Sequence, residues 1–584
     1  MRTTVGLVAV LLAGCAAEVA ADGEDGIDEV GVVAGKDDGP FSECELREVL
    51  GLVNDAQTTL GSLMERGVPS RGARNLVAHR DGIDATPGTD DDDRFDDIDE
   101  LDGVAYVGPQ TFRALVALVA DRCTTAPDRD ADVRVIFSPE PWETSHLAAI
   151  VASIDAATRS IDLAMYSLRD GRVMEALVRA AGRGVSIRVV YEGASADRAN
   201  PAGTTSQRLE AAGIDVRWIN KVMHHKFAII DGPRDSMDQA ATALLVTGSG
   251  NWSTSAGTKY DENTVFLRGH AEANLRFQAE FNHMWRSSRD FAGTSAPAFF
   301  ESMAIDPSAI TDDPSFDVVY TSANFEVRDS SNGPTFTVIR GSNAVADRLV
   351  ALIAGAERSI HIASGHLRSR PVANALLARF RERPDLDVRV YLDGQEYLSQ
   401  SSHAAQLDEL QACLAAAGTS TSRQQDCNDR GFLWSYVVHE AGIPLRYKYY
   451  AYRWDTSYAV QMHHKYMVID GRHLATGSYN LSDNAEHNTL ENMLFFDAEA
   501  FPALVAAFEE RFETMWRTGE AEGRLDSLMQ QLASGTGSVP LVFDPIALDW
   551  EQVTSLKRAL RTACPTADSE AFRTDPAAHR FCDR

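Results

Sequence analysis

The feature that most constrains this chain is a motif that occurs twice. Each copy reads His-His-Lys, four further residues and Asp, followed by Gly-Ser-Xaa-Asn and then Glu-Asn. These segments lie at 224–231, 248–251 and 262–263 in the first copy and at 463–470, 477–480 and 491–492 in the second. The first copy carries extra residues between Asp and Gly, in a polar loop at 232–241, which a chain absorbs at small cost. The sequence therefore predicts a duplicated structural unit.

The elements around the motif also repeat in the same order. In the first copy we predict strands at 133–137, 160–166 and 185–190, with helices at 146–157 and 172–181. In the second copy we predict helices at 344–356 and 372–380, with strands at 359–363 and 386–391. Strands that alternate with helices predict an α/β fold. We expect two pseudo-symmetric α/β sandwich repeats, each with a mixed or largely parallel sheet, preceded by a small helical module.

At 584 residues the chain exceeds one hydrophobic core, so we divide it into segments. The predicted organisation is a signal peptide (1–15), an acidic tether (16–41), a helical module (42–125), a first repeat (132–290), a bridging segment (291–324), a second repeat (325–520, with an insertion at 394–450) and a C-terminal tail (521–584). The net charge of -30 argues against avid non-specific binding to nucleic acid. It does not exclude a local basic cleft.

The N-terminus has the pattern of an export signal. Arg2 precedes an apolar run at 5–12, which is too short to span a bilayer. The run ends in Leu-Ala-Gly-Cys, which resembles the lipobox of bacterial lipoproteins and implies acylation of Cys15. The residue after the cysteine is Ala16, and in this position the chain resembles lipoproteins that are delivered to the outer membrane. The alternative is an ordinary signal peptide cleaved nearby, with secretion of the protein.

Six cysteines remain after Cys15, and an exported protein keeps disulfides. They fall into three sequence-local pairs: Cys44 with Cys123, Cys413 with Cys427, and Cys564 with Cys582. Six cysteines allow 15 pairings, so the connectivity stays open. A metal site is the weaker interpretation, because no Cys-Xaa-Xaa-Cys or matching histidine spacing occurs.

The module at 42–125 contains helical patterns at 45–64 and 111–120 and an acidic loop at 81–93. Residues 100–109 resemble a helix-hairpin-helix motif, whose turn offers backbone N–H groups to a phosphate. Tyr106 stands where that motif usually has its first glycine, and few basic residues surround the turn. A structural or protein-binding module is therefore an equal alternative. The run at 90–93 is either a Ca²⁺ ligand set or a solvated loop.

Each duplicated motif places its polar side chains at one end of an apolar, β-branched segment. Residues i and i+2 of a strand point to the same face, so His224 lies beside Lys226 and His463 beside Lys465. His225 and His464 point to the opposite face and are expected to be packed. Asp231 and Asp470 close the segments, where a turn follows. Facing the two halves about a pseudo-two-fold axis would surround one pocket with donors suited to a phosphodiester.

His-Xaa-Lys-Xaa₄-Asp followed by Gly-Ser-Xaa-Asn resembles the defining motif of the phospholipase D superfamily, over about residues 132–520. The resemblance implies one active site per chain, a phosphohistidine intermediate, and no metal or cofactor. Dimerisation is then not required, and we expect a monomer. The implied catalytic residues are His224 (nucleophile), Lys226, Asp231, His463 (acid/base), Lys465 and Asp470. The implied phosphate-supporting residues are Ser249, Asn251, Ser478 and Asn480, and Glu262 and Glu491 orient the imidazoles.

The substrate is less constrained than the reaction. The lipid anchor and two-repeat chain favour hydrolysis or transfer at a phospholipid. The helix-hairpin-helix resemblance supports the alternative of a metal-independent nuclease, although no continuous basic stripe occurs. A third interpretation is a surface lipoprotein that uses this fold only for binding, and the two intact motifs weigh against it.

Overall fold

The computed structural model describes residues 43–82, 84–87, 89, 91–95, 98–119, 129, 132–292, 304–305, 310–331, 333–450, 459–534, 543–564 and 569–574. The lipobox with Cys15, and the tether, lie outside these residues. The chain forms two compact units, Met1–Thr125 and Ala126–Arg584. Among the described residues, no helix has both the length and the apolar character needed to cross a bilayer.

The described part of the first unit is helical and has one small core. Its helices are α1 (Glu43–Asn54), α2 (Leu60–Glu65), α3 (Ser70–Arg80), α4 (Ile98–Gly103) and α5 (Pro109–Val119). The helix predicted at 45–64 is therefore broken between α1 and α2. Two interactions explain the break: Thr59 caps the start of α2, and buried Arg80 donates to the carbonyl oxygens of Val53, Asp55 and Thr58.

Tyr106 lies in the short turn between α4 and α5. Its φ is 69°, in the left-handed region that favours glycine, and 65% of the residue is exposed. In the same unit, His79, Asp93 and Glu100 bring nitrogen and carboxylate atoms close enough to share a cation. Asp90 of the acidic loop lies outside the described residues.

The first half of the second unit follows the predicted alternation. Its elements are β1 (Val133–Ser138), α6 (His146–Ala156), β2 (Ser160–Met165), α7 (Gly171–Gly182), β3 (Ser186–Tyr191), α8 (Ala194–Asp197), α9 (Thr205–Ala211), β4 (Asp215–Trp218), β5 (Val222–Met223), β6 (Lys226–Ile230), β7 (Leu244–Gly248), α10 (Thr254–Thr258), β8 (Glu262–Arg268), α11 (Ala271–Arg286) and β9 (Arg289–Asp290).

The second half repeats this series with additions. Its elements are β10 (Phe316–Tyr320), β11 (Phe325–Arg328), β12 (Thr335–Val338), α12 (Ala344–Ala354), β13 (Ser359–Ser364), α13 (Arg370–Glu382), β14 (Asp387–Asp393), α14 (Gln400–Ala417), α15 (Thr421–Asn428), α16 (Ser435–Glu440), β15 (Leu445–Tyr449), β16 (Lys465–Ile469), β17 (His473–Gly477), α17 (Asp483–Asn488), β18 (Thr489–Leu490), β19 (Asn492–Asp497), α18 (Pro502–Trp516), α19 (Arg524–Ser534), β20 (Ile546–Asp549), α20 (Trp550–Ala563) and α21 (Glu570–Thr574).

The two eight-stranded sheets have the same strand order and the same polarity. The first runs β1-β8-β7-β6-β2-β3-β4-β9 and the second β10-β19-β17-β16-β13-β14-β15-β20. In the first sheet β2–β3 and β3–β4 are parallel and the other pairings antiparallel, and the second sheet matches it pair by pair. The prediction of two α/β repeats is confirmed. The sheets are mixed rather than largely parallel.

Both sheets share a central core. Phe277 and Phe281 of α11 and Phe508 and Phe512 of α18 pack with strand residues of both halves. The opposite face of the first sheet packs against α6 and α7, and that of the second against α12 and α13. Successive strand residues alternate between these cores, which is why the strands are apolar on both faces. The two halves therefore form one folded body with their strand ends held together.

Two of the predicted segments, 394–450 and 521–584, contribute strands to the second sheet. The segment at 394–450 is not wholly an insertion, because β15 within it belongs to the second sheet, where it lies between β14 and the edge strand β20. The tail beyond 521 contributes β20 to the sheet edge and α20 to the core. The disulfide between Cys413 and Cys427 joins α14 to α15 as predicted. Cys564 is disulfide-bonded, and the other cysteine side chains of the predicted pairs lie outside the described residues.

The extra loop of the first motif carries a structural arginine. Buried Asp162 on β2 accepts hydrogen bonds from Arg188 on β3, at 2.7 and 2.6 Å, and from Arg234 of the loop. Gln278 on α11 also donates to Asp162, at 2.8 Å. The arginines hold the pKa of the Asp162 carboxyl well below its ordinary value, against the opposing effect of burial.

Candidate active site

Two short ladders between the halves position the histidines. β5, which precedes His224, pairs in parallel with β18, which precedes Glu491. In the pseudo-symmetric position Met462, which precedes His463, bridges to Asp261. The His224 N–H donates to the Leu490 carbonyl at 3.0 Å and the His463 N–H to the Asp261 carbonyl at 2.9 Å. Each histidine is therefore fixed by backbone from the opposite half, and β6 and β16 begin at the lysines.

As a result, each glutamate contacts the histidine of the other repeat. His224 Nδ1 lies 2.7 Å from Glu491 Oε1, and His463 Nδ1 lies 2.8 Å from both carboxylate oxygens of Glu262. With Nδ1 donating to a carboxylate, the Nε2 atom is the free base of the neutral ring. In the described part of the chain neither Nε2 has a hydrogen-bond partner, so both are available for chemistry.

The two glutamates are fully buried and held by hydroxyl groups. Each motif serine accepts the backbone N–H of the asparagine that follows the glutamate, Ser249 from Asn263 at 2.9 Å and Ser478 from Asn492 at 3.0 Å, and its hydroxyl group favours the ionised form of the nearby glutamate. Thr489 donates a further hydrogen bond to Glu491 at 2.9 Å. Burial raises the pKa of both carboxyls to about 7. The serines of the Gly-Ser-Xaa-Asn segments thus support the glutamates.

The motif lysines are buried cations with few anionic partners. Lys226 is 1% exposed and Lys465 is 0% exposed, and their ammonium groups donate to the carbonyl oxygens of His224 at 2.6 Å and His463 at 2.7 Å. Burial lowers the pKa of Lys226 to about 7 and that of Lys465 to about 8, despite attraction by the two glutamates. Among the described residues, neither ammonium group forms a direct ion pair with a carboxylate.

The pKa of each motif histidine depends on charges from both halves of the unit. Burial, followed by the charges of Lys226 and Lys465, lowers the pKa of His224 well below its ordinary value. Burial and the same lysines lower the pKa of His463. An anion bound between them would offset both effects, since it favours the charged forms.

The second histidine of each motif is buried, as expected, and has its own cross-repeat partner. His225 Nδ1 lies 2.9 Å from Asn492 Nδ2 and His464 Nδ1 lies 3.1 Å from Asn263 Nδ2. In each of these pairs Nδ1 accepts from an amide. The Asn of the Glu-Asn segment was visible in the sequence, but this role was not.

Asp231 and Asp470 are not brought into the cluster. They directly follow β6 and β16, at the opposite end of each strand from the histidines and roughly 20 Å away along an extended chain. Asp231 has φ 53° and accepts the backbone N–H groups of Thr158, Arg159 and Ser160; Asp470 has φ 60° and accepts the corresponding groups of Glu357, Arg358 and Ser359. The structure corrects their assignment to the catalytic set, because both fasten a turn to the neighbouring strand.

The remaining predicted residues, Asn251 and Asn480, follow the strands beside the lysines. The Oδ1 atom of each is buried and has no hydrogen-bond partner among the described residues. Sequence reasoning missed Tyr166, whose ring packs edge-on against His224 at 4.5 Å and lies 5.1 Å from the Lys226 ammonium. Its only sequence signal is its position directly after β2.

Comparisons with known proteins agree with this geometry. The family described as cardiolipin synthase, PLD-like domain, matches residues 150–285 and 349–516, just over half of the chain. The chain is 29% identical over 141 residues to a mitochondrial cardiolipin hydrolase of Chlamydomonas reinhardtii (24% of this chain, 57% of the relative). It is 30% identical over 171 residues to that of Homo sapiens (28% of this chain, 62% of the relative). The chain spans about 60% of the length of these curated relatives.

Two solved structures are also similar. Nuc from Salmonella typhimurium, a phospholipase D family member, is 28% identical, with 27% of this chain and 96% of that chain covered and a TM-score of 0.23. Phosphatidylserine synthase of Haemophilus influenzae Rd KW20 is 13% identical, with 67% and 89% covered and a TM-score of 0.43. The matched residues 150–285 and 349–516 contain both duplicated motifs and the strands that carry them. This chain therefore belongs to the phospholipase D-like family.

Proposed function

We propose that this protein is a phospholipid phosphodiesterase of the phospholipase D type. The observation that carries the proposal is the pair of buried lysines, Lys226 and Lys465, beside two histidines whose Nε2 atoms are free. A phosphodiester anion would be the direct ionic partner that both ammonium groups lack among the described residues, and binding it favours the charged form of both lysines. The lysines then neutralise the non-bridging oxygens as charge builds in the transition state.

The proposed reaction has two steps. Nε2 of His224 attacks phosphorus and forms a P–N bond, while the P–O bond to the leaving alcohol breaks and the protonated His463 gives its proton to that oxygen. In the second step His463 takes a proton from water, which attacks phosphorus and releases His224. Glu491 and Glu262 stabilise the positive charge on each ring and fix its tautomer. No metal takes part.

The proposed substrate class is a phospholipid. The support is the family match and the relatives, which are named for the hydrolysis of cardiolipin, itself a phosphodiester lipid. Hydrolysis and transfer to an alcohol differ only in the acceptor of the second step. The alternative within this chemistry is a phosphodiester of DNA.

The test offers cardiolipin vesicles, phosphatidylcholine vesicles and plasmid DNA separately, in EDTA, to the chain that begins after Cys15. His463→Ala serves as the blank. Release of phosphatidic acid and alcohol that the blank lacks is the expected result. Nicked DNA with intact lipid would overturn the phospholipid assignment and favour a nuclease, and strong inhibition by EDTA would contradict the metal-free mechanism.

We further propose that the protein is exported and anchored by acylation of Cys15 at the bacterial outer membrane, and that it acts as a monomer. The lipobox sequence supports the anchor, and the location of both motifs on one chain supports the monomer. Metabolic labelling with palmitate should label the full chain and not Cys15→Ala.

The left-handed backbone of Tyr106, in the turn before α5, supports a helix-hairpin-helix-like turn in the first unit.

A further inference from the structure

A cavity of about 480 Å³ lies away from the catalytic motifs in sequence, between α20 and the segment at 397–402 that begins α14. Its volume falls within the range of small-ligand sites. The proposed reaction uses none of the residues that line it.

One wall of the cavity is a cationic stripe of α20. Thr554, Lys557, Arg558 and Arg561 line the cavity and follow the i, i+3, i+4, i+7 spacing of a single helix face. Over this interval α20 rises roughly 10 Å, so the three cations fit around one ligand. The opposite face of α20 packs into the core through Val553, Leu556 and Leu560, which fixes the direction of the stripe.

The facing wall consists of hydroxyl groups. Ser399, Ser401 and Ser402 line the cavity at the first turn of α14, an 18-residue helix. Ser399 caps this helix, and its Oγ lies 3.1 Å from the Oγ of Ser401 and 2.8 Å from that of Ser402. A phosphate group in the cavity could therefore accept hydrogen bonds from the serine hydroxyl groups at the N-terminus of α14 and from the three cations of α20 on the other side.

The two walls are joined, so the cavity is preformed. Tyr397 OH is hydrogen-bonded to Thr554 Oγ1 at 2.8 Å, and the Lys557 ammonium lies 5.0 Å from the centre of the Tyr397 ring. Trp550 Nε1 donates to the Leu398 carbonyl at 2.9 Å. A ligand would therefore bind without first ordering the site.

The charge of this cavity is opposite to that of the protein. The chain has 85 acidic and 55 basic residues, yet no carboxylate lines the cavity among the described residues. Among the residues that the structure describes, the guanidinium groups of Arg558 and Arg561 make no ion pair. These two arginines lie less than one helical turn apart on α20. Like charges at this spacing repel each other unless an anion lies between them.

We propose that this cavity is a non-catalytic binding site for a phosphate monoester, carried either by a soluble metabolite or by a lipid headgroup. Arg558 and Arg561 bind the phosphate oxygens by charge-assisted hydrogen bonds, and the serine hydroxyls of α14 bind the remaining oxygens. This site is independent of the proposed reaction, because none of its residues takes part in the chemistry.

The test measures binding of sn-glycerol 3-phosphate to the full chain by calorimetry. The variant is Arg558→Gln with Arg561→Gln, both on exposed side chains that the fold does not need. The control is Arg381→Gln with Arg517→Gln, which removes the same charge from exposed positions on α13 and beside α18. Loss of two charge-assisted contacts should weaken binding at this site roughly 100-fold in the variant and leave the control unchanged.

A second arm uses phosphatidylcholine vesicles with and without phosphatidic acid, and every protein in this arm carries His463→Ala so that no phosphatidylcholine is hydrolysed. Loss of glycerol 3-phosphate binding in the variant supports a soluble ligand, and loss only of binding to the phosphatidic acid vesicles supports a headgroup. Equal binding of both probes by the variant and the control would overturn the site. Because binding is measured rather than turnover, failure of the proposed reaction would leave either result intact.

Discussion

The cross-repeat pairing of glutamate and histidine makes a prediction that separates the two half-reactions. Glu262 contacts His463, the proposed acid, whereas Glu491 contacts His224, the proposed nucleophile. Glu262→Gln should therefore weaken protonation of the leaving group, and Glu491→Gln should weaken attack on phosphorus. Each substitution keeps the shape of the side chain and removes its charge.

The magnitude follows from the contact that is lost. A hydrogen bond to a charged group contributes about 1.5–3 kcal/mol, which corresponds to a roughly 10- to 150-fold change in rate. Glu262→Gln should show this loss with an alkyl phosphodiester, whose alkoxide needs a proton. It should leave the reaction of bis(p-nitrophenyl) phosphate nearly unchanged, because nitrophenolate departs without one. Glu491→Gln should slow both substrates.

The assay is single-turnover kinetics, because the release of nitrophenolate then reports the first step alone. His463→Ala and His224→Ala serve as references, and thermal unfolding checks that each variant is folded. If Glu262→Gln slowed both substrates while His463→Ala retained the aryl reaction, the cross-repeat pairing would be refuted. If instead His224→Ala retained the aryl reaction, Glu491→Gln should also retain it. In that case the cross-repeat pairing would stand, and His224 and His463 would exchange the roles of nucleophile and acid.

Three further predictions concern pH and stability. Plots of kcat/KM against pH should be bell-shaped and narrow, rising as Glu262 and Glu491 ionise near pH 7 and falling as Lys226, with a pKa of about 7, and Lys465, with a pKa of about 8, lose their protons; a flat profile between pH 6 and 9 would contradict this. Asp162→Ala should cost about 3–5 kcal/mol in urea unfolding, because it leaves the charge of Arg188 buried without its partner. Since the folded pKa of Asp162 is depressed, its contribution should be complete above the ordinary value of 3.8 and decline as pH falls below it; a pH-independent difference from the variant would contradict this. Asp231→Ala should lower the free energy of unfolding by about 1–3 kcal/mol through its lost backbone hydrogen bonds while kcat stays close to wild type; a large loss of kcat in a folded variant would restore Asp231 to the catalytic set.

Much of the architecture was readable from the sequence because it depends on local pattern. The order of strands and helices follows from residues close in the chain, and the predicted strand at 160–166 differs from β2 by one residue. The duplication identified the histidines and lysines, since the same residue types recur at the same offsets in both copies. The break between α1 and α2 escaped the pattern because Arg80, which holds the turn, lies more than twenty residues later in the chain.

By itself, then, the sequence determined the family, the two-repeat α/β fold and the identity of the side chains that we propose to be reactive. Tertiary structure alone decided which residues act together. The β5–β18 ladder brings together His224 and Glu491, which follow its two strands and are 267 positions apart in the chain, and no sequence spacing encodes that register. Tertiary structure also moved Asp231 and Asp470 away from the site and brought Arg234 to Asp162. The physical reason is that these outcomes depend on burial and on which backbone groups remain unpaired, and both exist only once the two halves have packed.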